Sequence, residues 1–426
     1  MKRWLRELRP AGLLKLAIIL VVLGRTALVL LTPRYDQTTD LSIYQEVGEL
    51  LVNGIDPYDF SAQAPLREKL RLNDYGADSY VKKTREGYNY YVSGNLPAST
   101  ALYGLLEIAS GGNPKIWRIG FVLGDLSIVL AAFFFLRRAG VELLAPIQKL
   151  AFLAGAVVYP SLVEWGTLWP ADKQFQTALM MLLAGLLISQ PKSPIRASVA
   201  IGIAGSLSIL FKALGVFLLP LAFWYFYKRP RREFATAVLA ALATAVPFMA
   251  LFSIAFIQLM INRVLAGSAA TTAAAHSSPW IFFPDSFMSS VRPLVCVALV
   301  AAIAIYRWKG KIDLLNCMAA LTVVFICLWT NGGSMDRLNI AMMFALLCTA
   351  TISVQYWQTL TLFNYAIQFP VYAYCGLQHF RRWPAQDLQW FDAAATVIFL
   401  ASYFCILFFQ PRLHGWRRSP AQTSVA

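Results

Sequence analysis

Two carboxylates four residues apart, Asp36 and Asp40 in YDQTTDLSIY, stand just past the first long apolar run of the chain. A carboxylate so placed is suited to take the proton of an attacking hydroxyl. Further along, Glu164, Asp172 and Lys173 lie in EWGTLWPADKQ, Lys212 interrupts the apolar stretch LFKALGVFLLPLAFW, and Asp336 and Arg337 lie in NGGSMDRLN. Lysine and arginine hold phosphate groups through charge-assisted hydrogen bonds. An acid beside cations suits a transfer in which a hydroxyl attacks and a phosphate departs. The hydroxyl needs a base, whereas the phosphate leaves already charged and needs cationic stabilisation rather than a proton.

No competing apparatus is visible. The histidines His276, His379 and His414 are scattered and have no zinc-like spacing. The chain has no phosphate-cradling GxxxxGK(S/T) loop and no GxSxG elbow.

The elements that position these residues are membrane helices. Of 426 residues, 58% are hydrophobic and 14% charged, where soluble proteins carry about 25% charged. Mean hydropathy is +0.56. The apolar run from Leu13 to Leu31 follows a basic N-terminus and ends at Thr32-Pro33 without a small-residue cleavage site, so it is expected to stay as a first helix. The net charge of +15 is gathered in short connections, such as Arg137-Arg138, Lys228 to Arg232, and Arg307 to Lys311. That is the positive-inside pattern of a polytopic protein and argues against a nucleic-acid partner. The cysteines at 296, 317, 327, 348, 375 and 405 lie in or beside apolar segments and read as small hydrophobes.

With the basic clusters inside, a topology follows. The expected class is all-α, a single integral-membrane domain over 1–426 with about eleven or twelve spans. A long extracytoplasmic first loop occupies 33–112, its part up to residue 96 carrying ten acidic and seven basic residues. Within it, 96–110 is too short for a comfortable span and is expected to lie at the outer interface or in a re-entrant turn. Spans are expected over 115–136, 147–165, 172–189, 197–211, 213–227 and 235–253. A second outer loop is expected over 254–288, with further spans over 289–306, 312–330, 338–354, 359–377 and 391–409. The pair meeting at Lys212 is about 15 residues each, rising about 22 Å against a core of about 30 Å. Their junction should therefore sit in a protein-lined cavity.

In this topology Glu164, Asp172, Lys173, Lys212, Asp336 and Arg337 all fall at outer helix ends, on the side of the acidic loop. Charge at membrane depth is costly, so their convergence points to one outward-opening polar cavity. Arg25 and Asp125 lie deeper and are expected to pair inside the bundle. A nucleotide sugar is not expected outside the membrane, so the chemistry fits glycosyl transfer from a sugar on a polyprenyl phosphate or diphosphate.

Three motifs then carry a resemblance. DLSIYQEVGELLVNGIDPYDF (40–60), the Lys212 junction, and NGGSMDRLNIAMMFALL (331–347) are similar to motifs of the GT-C glycosyltransferases, most closely the bacterial mannosyltransferase-like branch. Three positions depart from the family: Ala213 replaces a common proline, and Met335-Asp336 replace the His-Glu of a His-Glu-Arg turn. The resemblance implies an inverting enzyme of the bacterial inner membrane with a cytoplasmic N-terminus. It would move mannose or a similar sugar from a polyprenyl-phosphate donor to an envelope glycan or glycolipid acceptor.

The base role carries over to Asp40, with Asp36 in reserve. Thr38 or Thr39 would cap a helix running to about Val52 and keep Asp40 in its first turn, ionised. Lys212 and Arg337, followed by Lys173 and Arg118, are the expected donor-phosphate ligands. Asp336, Glu164 and Asp172 are expected to bind substrate. Tyr44 either contacts Asp40 or a sugar, or simply packs. No residue is assigned to a metal, although the carboxylates leave room for a divalent ion. A transporter or flippase of lipid-linked sugars and a noncatalytic assembly subunit are the other readings.

Overall fold

The structure, a computed structural model, describes residues 5, 7–33, 36, 39–58, 96–168, 172–227, 229–252, 279–283, 285–329, 335–379 and 387–409. Among these residues it is all-α, with fifteen α-helices and no strand. The N-terminal half contains α1 (Pro10–Leu31), α2 (Thr39–Val52), α3 (Pro97–Ser110), α4 (Pro114–Arg138), α5 (Pro146–Phe152), α6 (Pro160–Leu162), α7 (Lys173–Leu187) and α8 (Pro194–Lys212). Then follow α9 (Leu219–Tyr227), α10 (Arg231–Leu251), α11 (Asp285–Trp308), α12 (Leu314–Val323), α13 (Met335–Ile352), α14 (Val354–His379) and α15 (Asp387–Phe409).

Proline sets many of the starts. It opens α1, α3, α4, α5, α6 and α8, where its missing N–H costs nothing and its fixed φ suits the first turn. Glycine closes α3: Gly111 and Gly112 take φ of 57° and 79°, a left-handed turn that releases the chain toward α4.

Among the described residues, five helices are long and apolar enough to cross a membrane: Pro10–Leu31, Pro114–Arg138, Pro194–Lys212, Arg231–Ala250 and Ser290–Trp308. Five shorter apolar helices accompany them. The chain is a polytopic helical membrane protein. α4 packs between α1 and α7, and α8 packs against both α7 and α10. Small residues allow the closest approaches: a Cβ on Gly202 of α8 would lie 2.2 Å from the Ala237 carbonyl oxygen of α10.

Two departures from straight helices matter for the site. The segment expected as one helix over 147–165 is broken. A π-turn at Leu153–Val157 follows α5, and a second at Val163–Leu168 follows α6. Pro160 explains the break, because it supplies no N–H and drives the preceding Tyr159 to ψ 123°. The second departure is at Lys212. α8 ends there, Ala213 takes φ 60°, and a 3-10 turn over Leu214–Leu218 leads to α9. A left-handed alanine costs about 1 kcal/mol or more, which the surrounding packing must offset. The break stands at Lys212 as expected, but the helix before it is a 19-residue span rather than a short one.

Candidate functional site

The site grows from the end of α1. Thr32 follows its last turn, and its hydroxyl donates to the Leu28 carbonyl at 2.6 Å. Four positions into α4 comes Arg118, wholly buried. Its guanidinium donates to Asp36 Oδ1 at 2.7 Å, to the Thr32 carbonyl at 2.8 Å and to Thr32 Oγ1 at 2.9 Å. Longer bonds of 3.4 Å reach the carbonyls of Val29 and Thr167. One arginine thus joins the end of α1, the start of the first loop, α4 and the broken segment. The fork of a guanidinium can serve so many acceptors at once, which an ammonium cannot.

Thr167 extends the network inward. Its hydroxyl donates to Asp125 Oδ2 at 2.7 Å. The same carboxylate faces Arg25 Nε at 3.5 Å, and Arg25 donates to the Val157 carbonyl at 2.7 Å. The expected pairing of Arg25 with Asp125 is therefore present. A polar chain runs from Arg25 through Asp125, Thr167 and Arg118 to Asp36.

A second ion pair lies beside it. Lys212 Nζ, at the last residue of α8, sits 3.1 Å from Asp172 Oδ2. Asp172 is fully buried and directly precedes α7, while the Lys212 side chain keeps 17% of its surface exposed. The Tyr103 hydroxyl donates to the same Asp172 oxygen at 2.9 Å. The Tyr103 ring stacks on Tyr44 of α2, with centroids 4.5 Å apart and planes 17° apart. Ser99 of α3 donates to the Phe211 carbonyl at 3.0 Å, tying α3 to the end of α8. Around the two tyrosines, Leu41, Val47, Trp117 and Phe121 complete a small apolar cluster that clamps α2 and α3 to α4.

α4, α7 and α8 border an apolar cleft of about 580 Å³. Leu130 and Phe134 of α4, Leu179 and Leu182 of α7, and Leu207 of α8 line it. Phe175 and Phe211, stacked at 6.0 Å, line the cleft beside Lys212.

Of the residues expected from the sequence, the structure brings Asp36 to Arg118, Asp172 to Lys212, and Tyr44 to Tyr103. Lys173 is the first residue of α7, next to Asp172, and adds positive charge near that carboxylate. Asp40 is the second residue of α2, one turn before Tyr44. Glu164 falls in the second π-turn, and Asp336 and Arg337 in the first turn of α13. The side chains of Asp40, Glu164, Asp336 and Arg337 lie outside the described residues. Thr32, Tyr103 and Thr167 belong to the site without having been singled out. Each is an isolated polar residue in an apolar or aromatic stretch, and only the fold shows what it touches.

At the rim of the cluster, Trp117 Nε1 donates to Glu107 Oε2 of α3 at 2.9 Å. Burial pushes the Glu107 carboxyl above the ordinary carboxylate range and Glu49 adds to the rise, while the Trp117 bond opposes it.

The fold and the site define a polytopic helical membrane protein with buried ion pairs gathered at one end of α1, α4, α7 and α8. Comparison with protein-family models, with curated proteins and with solved structures returns no match.

Proposed function

We propose that the chain is a membrane glycosyltransferase. It moves a sugar, mannose or a similar hexose, from a polyprenyl-phosphate donor to an envelope glycan or glycolipid acceptor. The observation that carries this reading is a partly exposed lysine next in sequence to the lining of an apolar cleft. Lys212 keeps 17% of its side chain exposed and follows Phe211, which lines a cleft built of leucine, phenylalanine and alanine. A lipid phosphate needs that combination, a cation for its head and an apolar trough for its chain.

In the reaction the acceptor hydroxyl attacks the anomeric carbon and gives its proton to Asp40. The bond from that carbon to the phosphate oxygen breaks with inversion, and polyprenyl phosphate leaves as an anion. Lys212, with Lys173 nearby and Arg337 at the start of α13, stabilises the departing charge. The basic clusters set the orientation by the positive-inside rule. They put the N-terminus in the cytoplasm and the site on the outer face of a bacterial inner membrane. The GT-C-like motifs at Asp40, Lys212 and Arg337 support the same reading.

The test is incorporation of label from polyprenyl-phosphate hexoses into envelope glycan, in vesicles containing the full chain. The Asp40→Asn protein is expected to remain monodisperse and to transfer nothing. Wild-type transfer by that variant removes Asp40 as base. Counterflow of labelled lipid with no covalent product replaces the enzyme with a transporter.

A further inference from the structure

We propose that Asp36 and Arg118 are positioning residues rather than a reserve base and a phosphate ligand. Together with the Tyr44–Tyr103 stack, they fix the start of α2 over the Lys212–Asp172 pair. The inference rests on the glycosyltransferase reading for its kinetic consequence, but its structural content stands apart from it.

The geometry has three parts. First, both terminal nitrogens of Arg118 are engaged. It is wholly buried and serves one carboxylate, three carbonyls and one hydroxyl. A phosphate would have to displace these partners from a guanidinium with no exposed surface. Second, Asp36 is three residues before Thr39, so its Cα lies within roughly 11 Å of the first residue of α2. Holding Asp36 against α4 therefore holds the origin of that helix. Third, the next turn of α2 is held independently. Tyr44 stacks on Tyr103, whose hydroxyl is bonded to Asp172, the partner of Lys212.

Asp40 lies midway between these anchors, four residues after Asp36 and four before Tyr44. Each anchor leads to a buried ion pair, one through Arg118 and one through Asp172. The distance from the base to the phosphate cation is then set by side chains that need not touch substrate. Small displacements of a reacting group can lower a rate about a hundredfold.

The test uses the full chain in lipid nanodiscs, with two readouts. Hydrogen exchange of the α2 amides over residues 41–50 reports the clamp. Transfer from radiolabelled polyprenyl-phosphate mannose reports kcat and the donor KM. Arg118→Lys is expected to accelerate α2 exchange by at least about tenfold, because an ammonium cannot replace the fork. It is also expected to lower kcat by about tenfold to a hundredfold while the donor KM stays within about twofold. Asp36→Ala should do the same. Asp36→Asn should do less, since its amide oxygen can still accept from Arg118. If Arg118→Lys does not fold, Asp36→Ala carries the test, because that side chain lies at the edge of the buried region.

Unchanged α2 exchange in both variants overturns the proposal. So does a donor KM raised tenfold or more with kcat unaffected, which would make Arg118 a phosphate ligand. An inactive Asp36→Asn beside an active Asp40→Asn would make Asp36 the base. Should the wild-type protein transfer no label, the enzyme reading fails, and the exchange readout still decides the clamp.

Discussion

Replacing Lys212 by methionine separates what this residue does for the fold from what it does for a substrate. Its partner Asp172 is fully buried, so removing the lysine leaves a carboxylate without its closest counter-charge. Breaking a buried pair on one side costs about 3–5 kcal/mol. The Tyr103 hydroxyl stays at 2.9 Å and Lys173 stays adjacent, which places the loss near the lower figure. Domains of about 150–250 residues lose about 2–4 °C per kcal/mol and longer chains lose less, so the thermal midpoint should fall by roughly 5 °C. Asp172→Asn should cost less, because Lys212 is partly exposed and can turn its ammonium toward water. The double variant Lys212→Met with Asp172→Asn removes both charges and should return to within about 1 kcal/mol of the wild type. If Lys212 also holds the donor phosphate, that restored protein should still show a donor KM raised about 10- to 100-fold, the worth of one charge-assisted bond. Thermal melts in detergent and donor titrations in vesicles measure the two arms. A stable Lys212→Met single variant refutes the structural reasoning. A double variant with both stability and donor affinity restored refutes the phosphate role and leaves Lys212 as the counter-ion of Asp172 alone.

Two further perturbations address the platform that carries α2. Gly48→Ala would put a Cβ 2.7 Å from the Tyr103 carbonyl oxygen and 3.0 Å from Trp117 and Glu107. Backbone cannot yield there, so a loss of about 1–3 kcal/mol is expected in thermal melts, whereas Gly24→Ala, with nothing within 4 Å, should be neutral. Glu107 is an acid whose folded pKa is raised, chiefly by burial. Its ionisation therefore disfavours the folded state. The penalty is absent below the unfolded value of about 4.3, enters as the pH rises through the raised folded value, and is complete above it. Glu107→Gln keeps an acceptor for Trp117 and should flatten the pH dependence of the melting temperature in that window, with no loss at neutral pH. A steeper pH dependence would contradict that sign.

The sequence was most legible where periodicity and punctuation agree. The helix ending at Val52, the helix closed by Gly111-Gly112 and the break at Lys212 stand where capping residues, glycine and an interrupting charge put them. The break within 147–165 carried a local sign, Pro160, yet the apolar run around it reads as a continuous span until the fold is seen. Charge at membrane depth was a sound guide to which residues gather, as Arg25 with Asp125 and Lys212 with Asp172 show. It did not say that Lys212 pairs with Asp172 or Arg118 with Asp36. Arg118 reads from sequence as one more cation, and its commitment to Asp36 depends on α1 ending beside α4. Nor could a lone Tyr103 announce itself, since its part depends on α3 packing against both α2 and α8.

The irregular backbone and the buried arginines explain each other. An arginine inside an apolar bundle needs several acceptors, and regular helices offer few because their carbonyls are already engaged. The segment from Leu153 to Leu168 supplies them through its interruptions. The Val157 carbonyl, at the end of the first π-turn, accepts from Arg25, and the Thr167 carbonyl, within the second, accepts from Arg118. The Thr167 hydroxyl meanwhile engages Asp125. Straightening this segment would return its carbonyls to the helix, taking from Arg25 its Val157 acceptor and from Arg118 its Thr167 acceptor. The π-turns are therefore the means by which this bundle keeps two cations at depth beside the first loop, consistent with π-turns occurring where function needs a helix distorted. A chain selected only to span a bilayer would have no use for the arginines or for the break that serves them.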